Sequence, residues 1–223
     1  MRKPTADERR AVADAVHAAE SGTSGEIVTI IADKSDDYHD VALHYALLMA
    51  LFVPILFAAW PVAPEWLLSM LTGGWTEPTT RDVLLLSFAA MIAVFLWVRL
   101  WLNYRPLRLF LTPKATRRRR VRRRALDLFR VGAEARTTGR TGILIYLSLG
   151  EHMAEIVADE AIHTRVADGE WAEAMAALVA EVRSGRIASG MVAAIERIGA
   201  ILAQHLPRAD DDVNELPDRL IEL

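Results

Sequence analysis

VALHYALLMALFVPILFAAW (residues 41–60) and VLLLSFAAMIAVFLWVRLWL (residues 83–102) decide how the rest of the chain has to be read. At 1.5 Å per residue of helix, each run is long enough to cross about 30 Å of hydrocarbon. Pro54 is tolerable inside a membrane helix. Trp60, Trp66, Trp97, Trp101 and Tyr104 fall toward the run ends, where interfacial aromatic belts belong, and Arg99 can snorkel from the last turn of the second run. The connecting segment, Pro61 to Asp82, carries Arg81 against Glu65, Glu77 and Asp82, whereas the segment after the second run carries Arg105, Arg108, Lys114 and a dense arginine run. The positive-inside bias therefore puts the loop outside and the later segment in the cytoplasm. Two spans return the chain to its starting side. The expected location is a bacterial-type inner (plasma) membrane with both N- and C-termini cytoplasmic. A buried apolar hairpin in a soluble protein is the alternative, but it requires neither membrane length nor asymmetric flanks.

Without the spans and their loop, about 160 of the 223 residues remain, enough for one domain with a real core. The chain has no cysteine, which excludes disulfides, thiolate metal sites and cysteine nucleophiles. The first apolar run follows a long polar segment and is not read as a cleavable signal peptide. The net charge of −3 conceals segregation: Arg99 to Arg140 holds 14 basic and 2 acidic residues, a local +12, leaving −15 for the remainder.

Around the hairpin the periodicity alternates between helix and strand. Thr5 and Glu8 form a capping-box signature at the start of an amphipathic helix over residues 5–20. EIVTIIA (26–32) has the composition of a buried strand, and Ile143 to Leu149 of a second. Gly150-Glu151 reads as a hairpin turn into a third strand, residues 153–159. Lys114 to Val131 reads as a helix with Val121, Ala125, Leu128 and Phe129 inward. Asp168 caps a helix from Gly169 to Arg183, and Ile187 to His205 is another, stopped by Pro207. The expected organisation is 1–37 as the first part of a soluble domain, 38–104 as a transmembrane hairpin, 105–209 as the remainder of the domain, and 210–223 as an acidic tail opened by Asp210 to Asp212.

Residues 18–27, AAESGTSGEI, resemble the opening motif of the TPM domain family, and residues 140–149, RTGILIYLSL, with 155–159, EIVAD, are similar to its central paired strands. The likeness covers roughly residues 5–35 and 115–210. It implies an α/β fold, a small central sheet in an α/β/α sandwich, here interrupted by the two-helix transmembrane hairpin. The family includes a thylakoid-lumen protein linked to photosystem II repair, for which acid phosphatase activity is proposed. A cytoplasmic domain with an inserted hairpin departs from that pattern.

Asp33 and Asp159 each follow a buried strand, at what the sequence suggests is one end of the sheet, where ligands of open α/β sheets collect. Together they can bind a divalent cation such as calcium or magnesium, with Glu160 and Asp36 as further ligands, or serve metal-assisted phosphoryl transfer. The alternative is that they merely end strands. Arg140 is a candidate anion ligand, or a structural or headgroup contact. His152 and His163 lack ligand partners at useful spacing, and Ser24 and Ser148 lack a nucleophile context. Gly22 to Gly25 has no phosphate-loop lysine. Arg117, Arg118, Arg119, Arg120, Arg122, Arg123 and Arg124 are expected to contact a bilayer with anionic headgroups. An acidic protein partner is the next candidate for them; nucleic acid is not expected, because no stacking platform accompanies the run. The leading functional expectation is a membrane-tethered TPM-like domain acting through protein interaction. The alternative is a metal-assisted phosphatase for phosphomonoesters.

Overall fold

The computed structural model describes residues 4–75, 77–134, 141–209, 216 and 218–223. In chain order its elements are α1 (Ala6–Glu20), β1 (Glu26–Ala32), α2 (His39–Ala59), α3 (Val62–Thr72), α4 (Thr80–Trp101), α5 (Arg105–Leu111), α6 (Lys114–Phe129), β2 (Gly142–Ser148), β3 (Met153–Ala158), α7 (Glu160–His163), α8 (Asp168–Arg183), α9 (Ile187–His205) and β4 (Leu220–Glu222), with a π-helical turn at Arg130–Glu134 after α6. The chain forms two compact units. Met1–Asp36 and Lys114–Leu223 make one, and Asp37–Pro113 the other.

The first unit is mixed α/β, built on one sheet of order β3-β2-β1-β4. β1 and β2 are continuous apolar runs because both faces are covered, and every residue of each is buried. They pair in parallel from Glu26 with Gly142 to Ala32 with Ser148. β3 returns antiparallel to β2 through the expected hairpin. The last strand corrects the reading of 210–223 as a tail. Leu220–Glu222 adds to β1 in parallel, with the Asp33 N–H donating to the Leu223 carbonyl and the Leu223 N–H to that of Ile31, both at 2.9 Å. Three residues are too few for strand periodicity to register. Asp210–Asp212 lies outside the described residues.

Alternation along the two central strands divides the core. Ile27, Ile31, Ile143, Ile145 and Leu147 face a cluster that includes Val12 and Val16 of α1, Leu178 of α8, and Met191, Ile195, Ile198 and Leu202 of α9. Val28, Ile30, Leu144 and Tyr146 face the other way, onto Val121, Ala125 and Phe129 of α6. Thr5 and Glu8 form the expected capping box, with N–H to oxygen distances of 3.2 and 2.6 Å. α1 and α9 come so close that a Cβ on Gly199 would stand 2.6 Å from that of Ala19. The cap of α8 is Ala167 rather than Asp168; its N–H donates to Glu170 Oε1 at 3.2 Å.

In the second unit, α2 and α4 pack along one another, α2 burying the stripe Ala42, Ala46, Ala50 and Val53 while Leu47, Leu51 and Ile55 stay exposed. Small residues at this spacing let helix backbones approach. Among the described residues, three helices are long and apolar enough to cross a membrane: α2, α4 and α9, the last of which supplies one face to the first unit's core. Arg108 of α5 is buried, and its Nη1 donates to the Leu102 carbonyl and to His39 Nδ1, both at 3.3 Å. This joins the end of α4 to the start of α2.

One end of the sheet holds an unusual carboxyl group. Glu20 accepts the Ile27 N–H at 2.7 Å, and Glu26 accepts that of Leu216 at 3.2 Å, while Asp218 pairs with His17 at 2.9 Å. Burial pushes Glu20 from its ordinary 4.5 up to about 8, with Glu26 and Asp218 adding to the rise and the Ile27 N–H opposing it. The folded state thus keeps a proton that the unfolded chain releases near pH 4.5. Stability from this group is complete below that value and is lost as pH rises through about 8. Thermal unfolding in detergent should therefore show Glu20→Gln gaining on the parent chain from pH 5 to 9, by on the order of 2–4 kcal/mol at the upper end. Parallel pH profiles would show that Glu20 stays ionised.

Candidate anion-binding cleft

The arginine run is continuous in sequence, but a helix distributes it around its circumference. With Val121, Ala125 and Phe129 turned to the sheet, Arg120, Arg123, Arg124 and Asp127 follow at i, i+3, i+4 and i+7 on one flank. Together with Arg119, Ser35 and Asp36 they line a cleft of about 440 Å³ just past the carboxyl end of β1. Arg118 and Arg122 fall on the opposite flank and line a separate groove beside β3, where Arg122 meets Glu155 at 3.4 Å. The run is therefore two surfaces.

Within the cleft, Arg120 is paired with Asp36 at 3.0 Å. Among the described residues, Arg119, Arg123 and Arg124 have no carboxylate partner within ion-pair distance. Four guanidinium groups against two carboxylates leave an excess of positive charge suited to an anion, with planar donors able to bind phosphate or carboxylate in bidentate fashion.

The loop forming the other wall is held from below. Glu151 is buried, and both its oxygens accept the Ser35 N–H, at 3.1 and 3.2 Å; Ser148 Oγ also donates to Glu151. Ser35 Oγ shares a 3.0 Å hydrogen bond with the hydroxyl of Tyr146. Burial pushes the Tyr146 phenol above its ordinary value and the Glu151 carboxylate adds to this, against the Ser35 hydrogen bond and Arg124. Tyr146 is therefore neutral at physiological pH. Ser35, Tyr146 and Glu151 were not singled out by sequence reasoning. Two of them left a signal: a tyrosine inside a largely apolar buried strand, and a carboxylate in the turn that follows.

The two candidate aspartates do not meet. β3 runs antiparallel to β2, and β2 parallel to β1, so the end of β3 lies at the opposite end of the sheet from the end of β1. Asp33 is exposed beyond Ala32, whereas Asp159 is buried beside Gly142, whose N–H it accepts at 3.1 Å. About 20 Å of strand separates the two ends, which rules out a shared cation. Glu160 and His163 line the groove beside β3, Asp36 lines the arginine cleft, and His152 sits in the β2–β3 turn with φ 53°. Arg140 lies outside the described residues. No group of three or more histidine, aspartate or glutamate side chains among the described residues is arranged to hold a metal ion. Ser24 serves structure, accepting the Ala209 N–H at 2.9 Å, and Thr23 Oγ1 donates to the Leu206 carbonyl at 2.6 Å.

No family model matches the chain, and no curated protein matches it. Among solved structures it is similar to the NMR structure of the BA42 protein from the psychrophilic bacterium Bizionia argentinensis sp. nov., with a TM-score of 0.58 and 20% identity, covering 100% of this chain and 97% of that one. The likeness is one of fold alone.

Glu151→Ala removes the acceptor that holds Ser35 and leaves the Ser148 hydroxyl buried without its partner. Denaturation of the full chain should show a loss of about 2–3 kcal/mol, as for hydrogen bonds to a charged group, and faster hydrogen exchange at the Ser35 amide. Unchanged exchange there would mean that the loop is held by something else.

Proposed function

We propose that the chain is a membrane-tethered α/β module that acts by binding an anionic partner in the arginine cleft. In this reading residues 37–113 form a two-helix transmembrane hairpin inserted into an α/β/α sandwich of TPM type, at a bacterial-type inner membrane, with both ends of the chain in the cytoplasm. The carrying observation is the cleft's charge: Arg119, Arg120, Arg123 and Arg124 facing Ser35 beyond β1, with one pairing to Asp36. Interaction is favoured over hydrolysis because Asp33 and Asp159 stand at opposite ends of the sheet and Glu151 is committed to Ser35 and Ser148. Anionic lipid headgroups are the competing ligand for the same arginines.

Calorimetric titration of the detergent-solubilised chain with inorganic phosphate and with an acidic peptide tests this. Arg123→Glu with Arg124→Glu should weaken binding at least tenfold, roughly 1.4 kcal/mol or more, and added salt should weaken it in the parent. Arg118→Glu, on the other flank, should leave it intact. Equal loss in all variants would point to diffuse charge rather than the cleft. Sustained turnover of a phosphomonoester with magnesium or calcium would favour the phosphatase reading instead. Protease protection in oriented vesicles should leave the C-terminal part accessible only from the cytoplasmic side; cleavage of 114–223 from outside would refute the topology.

A further inference from the structure

The segment between α2 and α4, expected as a simple outer loop, contains an eleven-residue helix whose composition is unlike that of a solvated connection. In α3, Glu65, Ser69 and Thr72 fall at i, i+4 and i+7, a single narrow polar stripe. The remaining positions are apolar. Pro64 is its only buried residue, while Val62, Trp66, Met70 and Leu71 are each more than half exposed, at 64, 59, 63 and 70%. Trp60 before the helix and Trp75 after it are exposed by 70 and 90%. Gly73 and Gly74, both left-handed with φ 69° and 75°, end the helix and turn the chain toward α4. No described residue covers this apolar arc, and water alone would leave it a large exposed patch of the kind that marks an interaction surface.

We infer that α3 lies in the plane of the membrane interface on the loop side of the hairpin, with its Leu67–Met70–Leu71 face in the lipid, Val62 and Trp66 beside it, and the opposite Glu65–Ser69–Thr72 stripe toward water. The inference rests on the reading of α2 and α4 as spans and adds to it a third, in-plane membrane contact. Eleven residues of helix extend only about 16 Å, half the hydrocarbon thickness, so α3 cannot cross. It directly joins two helices of membrane length, which places it at the level where tryptophan is enriched. Its charge selects the kind of lipid contact. Glu65 is the helix's one charged residue and there is no lysine or arginine to seek anionic headgroups, so attachment comes from apolar burial and indole placement. A zwitterionic surface is sufficient.

The chain's lack of cysteine allows the test to be made one position at a time on the full protein. Single cysteines at Leu67, Met70 and Leu71, at Glu65, Ser69 and Thr72, and at Leu51 and Ile92 within α2 and α4 are spin-labelled and reconstituted in phosphatidylcholine vesicles, with and without phosphatidylglycerol. Relaxation is compared with dissolved oxygen and with a water-soluble nickel chelate. The expected pattern is oxygen-dominated relaxation at 67, 70 and 71, at shallower depth than 51 and 92, with nickel dominating at 65, 69 and 72. Phosphatidylglycerol should change none of these ratios. Nickel-dominated relaxation at all six α3 positions, with 51 and 92 still in lipid, overturns the in-plane helix and leaves the spans standing. Nickel access at 51 and 92 as well overturns both. Loss of the oxygen signal at 67, 70 and 71 in phosphatidylcholine alone would show that anionic lipid is required, against the inference.

Discussion

Parallel neighbours in a sheet cannot be joined by a tight turn, and the pairing of β1 with β2 over seven residues obliges the chain leaving Ala32 to return to Gly142 at the other end of the sheet. The whole of the second unit and α6 are contained in that single connection. α6 then acts as an ordinary crossover helix, covering the face made by Val28, Ile30, Leu144 and Tyr146. Because it is seated there by Val121, Ala125 and Phe129, its arginine flank is held beside the loop that follows β1. The cleft is thus a by-product of strand order: one wall is the exit from β1, the other is the helix that brings the chain back.

Little of the arginine run's charge is spent on holding the fold. Arg120 pairs with Asp36 and Arg122 with Glu155, the arginine of the second pair largely exposed. Surface pairs of this kind contribute about 0–1 kcal/mol. Like charges at i, i+4, such as Arg119 with Arg123 and Arg120 with Arg124, oppose the helix by a few tenths of a kcal/mol each. The apolar stripe carries the stability and the arginines sit on it at a cost, the arrangement expected where a charge partner comes from outside the domain.

Where the sequence was informative, a local pattern coincided with the structural unit. β1 and α9 have the boundaries their composition implies, since one is an unbroken β-branched run between a glycine turn and a polar loop and the other ends at Pro207. The convergence of Asp33 with Asp159 failed for a reason that was itself visible, because a hairpin turn at Gly150-Glu151 reverses the chain and sends β3 away from the carboxyl end of β1. β4 is three residues long and takes its identity from pairing with β1, which no window of sequence contains. The cleft joins residues more than eighty positions apart, Asp36 and Arg120 among them. Only helical periodicity applied to the run, followed by knowledge of which face meets the sheet, separates its two flanks.

The interleaving of the two units also has a temporal side. α1 and β1 leave the ribosome before any strand they pair with and before α9, against which α1 packs. During that interval the EIVTIIA segment, with Glu26 as its one charge, is an unpaired β-prone stretch of the sort that associates with other chains. The duration of this exposure is set by how long the chain up to β2 takes to be made, and the inserted unit, residues 37–113, accounts for most of that length.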